Sequence, residues 1–194
     1  MSPSTDDEPR SSKPRPEADD DPHPATNGAS PHPDFELFDP LNLISQQHHQ
    51  QLHQWTIAVF AHLNASGSVR VKLVNDEQMS SAHLQYSGIP GTTDVLTFDL
   101  NTEHDLTSDT PKELDTDLIV CVDEAQRQSS DLGHSTTHEI LLYIIHGTLH
   151  CLGYDDHTHE DFNRMHAYED QLLIKANIGP LFDLSNTPSK ETNQ

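Results

Sequence analysis

One segment constrains this chain more than any other. The apolar run Ile140-Leu-Leu-Tyr-Ile-Ile145 leads straight into His146-Gly-Thr-Leu-His150-Cys-Leu-Gly-Tyr-Asp-Asp-His157. It is opened by the capping-box pattern Thr136-x-x-Glu139 and closed by Gly153, which predicts a helix with much of its surface buried. Positions i and i+4 share a helix face, so His146 and His150 can point at one atom. Gly153 ends the helix and lets the chain fold back, and His157 can then approach the same point from the turn. Three histidines with an open fourth position is the plan of a catalytic zinc site.

Histidine is common here, with 15 in 194 residues. At that density about one His-x3-His pair arises by chance. Three are present: His49/His53, His134/His138 and His146/His150. The first lies in a Gln/His-rich polar run and the second in a polar loop and helix start. Only His146/His150 interrupts an apolar helix. Two imidazoles buried there without partners would cost on the order of a few kcal/mol, and a metal would satisfy both. Gly147 follows the first histidine where a His-Glu-x-x-His metalloprotease carries its general base, so protease chemistry is not expected.

The first 34 residues hold eight prolines, many serines and aspartates, and no Ile, Leu, Val or aromatic residue. Such a segment cannot bury enough apolar surface to offset its ordering entropy, and disorder is expected over 1–34 and again over 185–194. The segment between, 35–184, reads as one domain. No secretory or transit signal and no membrane-length apolar run is evident, so a cytoplasmic location is expected. Cys121 and Cys151 read as small buried hydrophobes. Cys151 also points about 100° away from His150 on the helix, which argues against it as a ligand.

The net charge is −22, of which about −17 lies beyond the first 34 residues. Only Arg70, Lys72, Lys112, Arg127, Arg164, Lys175 and Lys190 are basic there. A nucleic-acid binder with this balance must concentrate its few bases near one cleft.

Periodicity places a helix over Ile44–Leu63, a half-buried strand over Val69–Val74 and a second helix from Asn75 or Asp76 to about Tyr86. A strand follows at Thr93–Phe98, then a polar loop over 101–115. Asp117–Val122 reads as a central strand covered on both faces. A helix starts at Asp123, the histidine helix at Thr136, and a last helix runs from Thr158 or His159 to about Leu173. The last helix shows Phe162, Met165, Tyr168 and Leu172 on one side. The fold class expected is α/β (α+β): a single domain, a small mixed sheet with helices packed over it, and a metal site on a helix and its following turn.

With these elements in order, the chain resembles the YbeY family of metal-dependent endoribonucleases of ribosomal RNA maturation. The family signature His-Gly-x-Leu-His-Leu-x-Gly-Tyr-Asp-His is matched from His146 through Asp155. Its Thr-Asp-Val-Leu-Ser-Phe block stands as Thr93–Phe98, its Gly-Asp-Ile block as Thr116–Cys121, and its glutamate opening the metal helix as Glu139. The match spans roughly Leu41 to Ala176. Two positions depart. The family's third histidine falls on Asp156, with His157 one residue later. The arginine many members carry after the tyrosine upstream of Thr93 is here Ser87, for which Arg127 and Arg164 are possible substitutes.

The resemblance implies one Zn²⁺ per chain on His146, His150 and a third donor. His157 is favoured because it keeps a neutral three-nitrogen site, and Asp156 is the alternative. It further implies hydrolysis of single-stranded ribosomal RNA; the residues themselves offer Asp155 or Glu139 as base or orienting group. Partners would be RNA and a ribosome or ribosomal protein, with no DNA and no membrane. The competing expectation is a ribosome-assembly binding factor whose metal site is mainly structural.

Overall fold

The computed structural model describes residues 32–101 and 112–182. Of the tail expected over 1–34, residues 1–31 lie outside the described residues, as do the tail expected over 185–194 and most of the polar loop. Among the described residues the chain forms β1 (Asp34–Phe38), α1 (Gln46–Phe60), β2 (Ala65–Val74), α2 (Asp76–Ser87) and β3 (Val95–Asp99). β4 (Lys112–Cys121), α3 (Val122–Leu132), α4 (Thr136–Cys151) and α5 (His159–Lys175) follow. The sheet order is β1-β2-β4-β3, with β1, β2 and β4 parallel and β3 antiparallel to β4. This is the single mixed-sheet α/β domain that the periodicity predicts.

β1 is the element the periodicity reading leaves out. It starts at Asp34, inside the segment expected to be a tail, and pairs Phe35 with Val69 and Leu37 with Val71. Five residues between prolines carry too little periodicity to stand out, and the strand exists because β2 offers it an edge. Phe35 is buried and meets Phe60 of α1 edge-on at 5.8 Å. β2 also begins earlier than expected, at Ala65. It carries Gly67 at φ +98°, where a Cβ would sit 2.0 Å from the Leu114 carbonyl oxygen, so no other residue fits.

One sheet face forms the floor of the core. Val69, Val71 and Leu73 of β2 and Leu114, Leu118 and Val120 of β4 are all buried. The opposite face is only half covered, which corrects the expectation that β4 is shielded on both sides. There Arg70 bridges the strands to Asp115 at 2.6 Å and Asp117 at 2.5 Å. β4 also starts at Lys112, within the stretch read as loop, and Val122 already belongs to α3.

α4 crosses the core face, in contact with α1, α3, α5, β3 and β4. Ile140, Leu141, Ile144, Ile145 and Leu149 are essentially inaccessible, as expected of a helix that is apolar nearly all round. Its N-cap is Ser135, whose hydroxyl accepts from the His138 N–H, and not Thr136. Glu139 is therefore not the reciprocal member of a capping box; it is buried against the His134 ring. Gly147 sits where a Cβ would meet Leu118 Cδ2 and Thr97 Oγ1 at 2.9 Å each, so its bare backbone lets the helix settle on the sheet.

Candidate metal centre

α4 ends as its sequence predicts. Gly153 takes φ +86°, its N–H donates to the His150 carbonyl at 2.9 Å, and the Tyr154 N–H donates to the Leu149 carbonyl at 3.0 Å. This is the 6→1 and 5→2 pair of a Schellman close. The Lys112 ammonium donates to the Leu152 carbonyl, placing a positive charge at the negative end of the helix dipole. The reversal also returns the Tyr154 carbonyl to His150, whose Nδ1–H donates to it at 3.1 Å.

His146 is fixed in the same manner from another direction. Its Nδ1 lies 3.0 Å from Glu169 Oε1 of α5. A carbonyl and a carboxylate can only accept, so both rings carry their hydrogen on Nδ1. In the neutral rings both Nε2 atoms therefore present lone pairs, and these face each other at 3.0 Å. Two lone pairs at that distance repel unless a proton or a cation lies between them. Two imidazole nitrogens on one tetrahedral zinc stand about 3.3 Å apart, given bonds of about 2.0–2.1 Å. The pair thus fits a shared cation with little adjustment.

Asp156 supplies the third nearby donor. Its Oδ2 is 3.8 Å from His146 Nε2, and one donor atom each from His146, His150 and Asp156 lies within 4.8 Å of the others. His157, the favoured third ligand in the sequence reading, is not brought to the pair. Its side chain is 83% exposed and its Nδ1 bonds to Asp155 Oδ1. The turn explains this: Asp155 Oδ1 also accepts the backbone N–H of Asp156 at 2.8 Å and of His157 at 3.3 Å, a side-chain turn that aims Asp156 inward and His157 outward.

Electrostatics follow from these contacts. Burial pushes the His146 pKa down, but the hydrogen bond to Glu169 and the charges of Glu169, Asp94 and Asp156 outweigh it, and the net shift is upward. Burial raises Glu169, yet its bonds to His146 and His166 leave it below the usual carboxylate range. The hydrogen bond to Asp155 raises His157, and the same bond lowers Asp155.

The remaining candidates lie elsewhere. Glu139 is two turns before His146 on α4 and is engaged by His134. Ser87 is the last residue of α2. Arg127 is held by Asp76 at 2.7 Å and Glu124 at 2.6 Å, and Arg164 by Asp161 at 2.6 Å. Cys121 and Cys151 are free thiols raised chiefly by burial, and neither is part of the histidine–carboxylate cluster. The sequence reading misses Glu169 and His166. Both lie on the buried stripe of α5 with Met165, Leu172 and Leu173. A Glu and a His at apolar-stripe positions were the available signal.

Fold and site define a class: an α/β domain that gathers two helical histidines and a turn carboxylate at the end of its central helix. A family model described as "Endoribonuclease YbeY" matches residues 40–177. The chain belongs to that family. Among curated relatives, the endoribonuclease YbeY of Desulfitobacterium hafniense (strain Y51) is 36% identical over 131 residues, covering 63% of this chain and 82% of that protein. The endoribonuclease YbeY of Desulforamulus reducens is 37% identical over 106 residues, 54% of this chain and 69% of that protein. A Thermotoga maritima protein solved in solution aligns with a TM-score of 0.45 at 20% identity, over 80% of this chain and 99% of that one.

Proposed function

We propose that this chain is a zinc-dependent endoribonuclease that cleaves single-stranded RNA in ribosomal RNA maturation, working in the cytoplasm. The observation that carries the metal site is the pair of facing Nε2 lone pairs of His146 and His150, 3.0 Å apart, with both Nδ1 atoms already committed. Asp156 is the third donor in this reading, at the position where the family pattern carries histidine. Three protein donors rather than four is the plan of a catalytic rather than a structural zinc site. Membership of the endoribonuclease YbeY family supports RNA as the substrate.

When bound, the zinc supplies Lewis acidity, which lowers the pKa of a coordinated water toward 7 and steadies charge developing on a phosphate oxygen. The chain's own residues do the rest. His146 and His150 are oriented by Glu169 and by the Tyr154 carbonyl, so their Nε2 donors are set before any ligand arrives. Asp155 orients the turn in this reading: its Oδ1 accepts from the backbone N–H groups of Asp156 and His157 and from the His157 ring, which holds Asp156 toward the histidine pair. Among the described residues, no helix is long and apolar enough to cross a membrane.

The test is cleavage of a labelled single-stranded RNA by the purified chain, with metal content measured on the same sample. Chelation is expected to abolish cleavage and stoichiometric Zn²⁺ to restore it. Cleavage that survives complete metal removal would overturn the reading.

A further inference from the structure

We propose that His166 and Glu169 of α5 act as a positioning pair that locks His146 in its donor orientation. α5 contributes no metal donor of its own, yet through this pair it sets how tightly the site holds its cation. The inference rests on the metal-site reading above.

Glu169 is buried, 1% exposed. Its Oε1 takes the His146 Nδ1–H at 3.0 Å and its Oε2 takes the His166 Nδ1–H at 2.5 Å. With a ring donor on each oxygen, the carboxylate cannot rotate without losing one bond. His166 is itself clamped. Phe182 stacks on its ring at 3.7 Å and 8°, and Phe162 meets it edge-on at 4.2 Å. Phe182 is tied down in turn, because its backbone N–H and that of Leu181 both donate to Asp170 Oδ1. The order is therefore aromatic clamp, His166, Glu169, His146, metal site.

Packing alone does not account for the pair. It occupies stripe positions beside Met165, Leu172 and Leu173, where an apolar side chain would bury without desolvating a charge. Nor is the cluster a second cation site. Its three donor atoms lie within 4.8 Å of one another, but each ring nitrogen that faces the carboxylate already donates to it. What the pair achieves is a tautomer: Nδ1–H on His146, hence a bare Nε2 toward His150.

The test uses the full chain, with Zn²⁺ as the probe in competition with a chromophoric chelator, and ring ¹⁵N shifts of His146 in the metal-free protein. His166→Phe keeps the aromatic stack and removes the donor, whereas His166→Asn keeps an N–H at the Nδ1 position. In Glu169→Gln the amide offers a single acceptor oxygen, so the two rings compete for it. Zn²⁺ affinity should fall about 10-fold in His166→Phe and about 10–100-fold in Glu169→Gln, and stay within roughly threefold of wild type in His166→Asn. Once titrated to its neutral form, wild-type His146 should carry its proton on Nδ1, with part of it moving to Nε2 in Glu169→Gln. Unchanged affinity in folded His166→Phe, or an Nε2–H tautomer in the wild type, would overturn the proposal. Should His166→Phe fail to fold, the wild-type tautomer and Glu169→Gln decide the same question. An Nδ1–H wild type that binds no Zn²⁺ would support the positioning pair and overturn the metal reading instead.

Discussion

His146 shows how the placement of one hydrogen decides what a residue can do. Its raised pKa and the lowered pKa of Glu169 are two sides of one bond, and both link to stability in the metal-free protein. For His146 the folded value lies above the unfolded one, so its contribution is complete below about pH 6.5 and is lost as pH rises through the folded value. For Glu169 the folded value lies below, so its contribution is complete above about pH 4.3 and is lost as pH falls through the folded value. The two overlap between roughly pH 4.5 and 6.5. The unfolding free-energy gap between metal-free wild type and His146→Ala, measured in urea, should be widest in that window and narrow toward pH 9. A gap flat across the range would mean that the His146–Glu169 bond does not hold in solution. Loaded with Zn²⁺, the wild type should show the opposite trend, gaining stability as pH rises, because imidazole must be neutral to bind.

At the scale of elements, α4 is the part most legible in the sequence. Its apolar run, its His-x3-His pair and its closing glycine are local signals, and each translates directly into a buried helix, a shared face and a Schellman end. Gly147 adds a fourth that becomes clear only with the sheet in place. Gly147→Ala pushes a methyl into Leu118 and Thr97 and should cost about 1–3 kcal/mol in chemical denaturation. A change under about 0.5 kcal/mol would mean that the helix sits further from the sheet than described. What was not legible is tertiary. β1 depends on the edge of β2, and the cap falls on Ser135 because the chain enters the helix one residue earlier than the capping-box pattern suggests. Glu169 and His166 sit at apolar-stripe positions of α5, and that signal gains its meaning only once α4 is packed against them. The turn after Gly153 illustrates the same limit, since its residue types admit His157 or Asp156 as donor and only the Asp155 side-chain turn distinguishes them. Asp156→Asn is accordingly expected to weaken Zn²⁺ about 10-fold or more and His157→Ala to leave it within a few-fold, as read by chelator competition. The reverse ranking would make His157 the ligand.

For the whole molecule, the acidic balance and the incomplete sheet cover set the terms. Arg70, Arg127 and Arg164 are each paired with carboxylates, so among the described residues no arginine is left to hold RNA by charge alone. In the proposed function, RNA binding is expected to draw on the metal site itself. The domain's integrity, in contrast, rests on the sheet from its first strand. Deleting residues 1–31, which lack the apolar side chains to join a core, should move the melting temperature by no more than a few degrees. Deleting through Phe38 removes β1 and the Phe35–Phe60 contact and should lower it by at least about 8 °C. Similar losses from both deletions would show that the tail packs on the domain.

The central claim is that His146 and His150, with Asp156, form one metal site on α4 and its turn. X-ray absorption at the zinc edge of the zinc-loaded full chain tests it most directly. The account predicts about two imidazoles, with the remaining donors oxygen, at bond lengths of about 2.0–2.2 Å, and loss of stoichiometric zinc in His146→Ala and in His150→Ala. A shell with three imidazoles would replace Asp156 by His157, and full zinc occupancy in either alanine variant would contradict the site altogether.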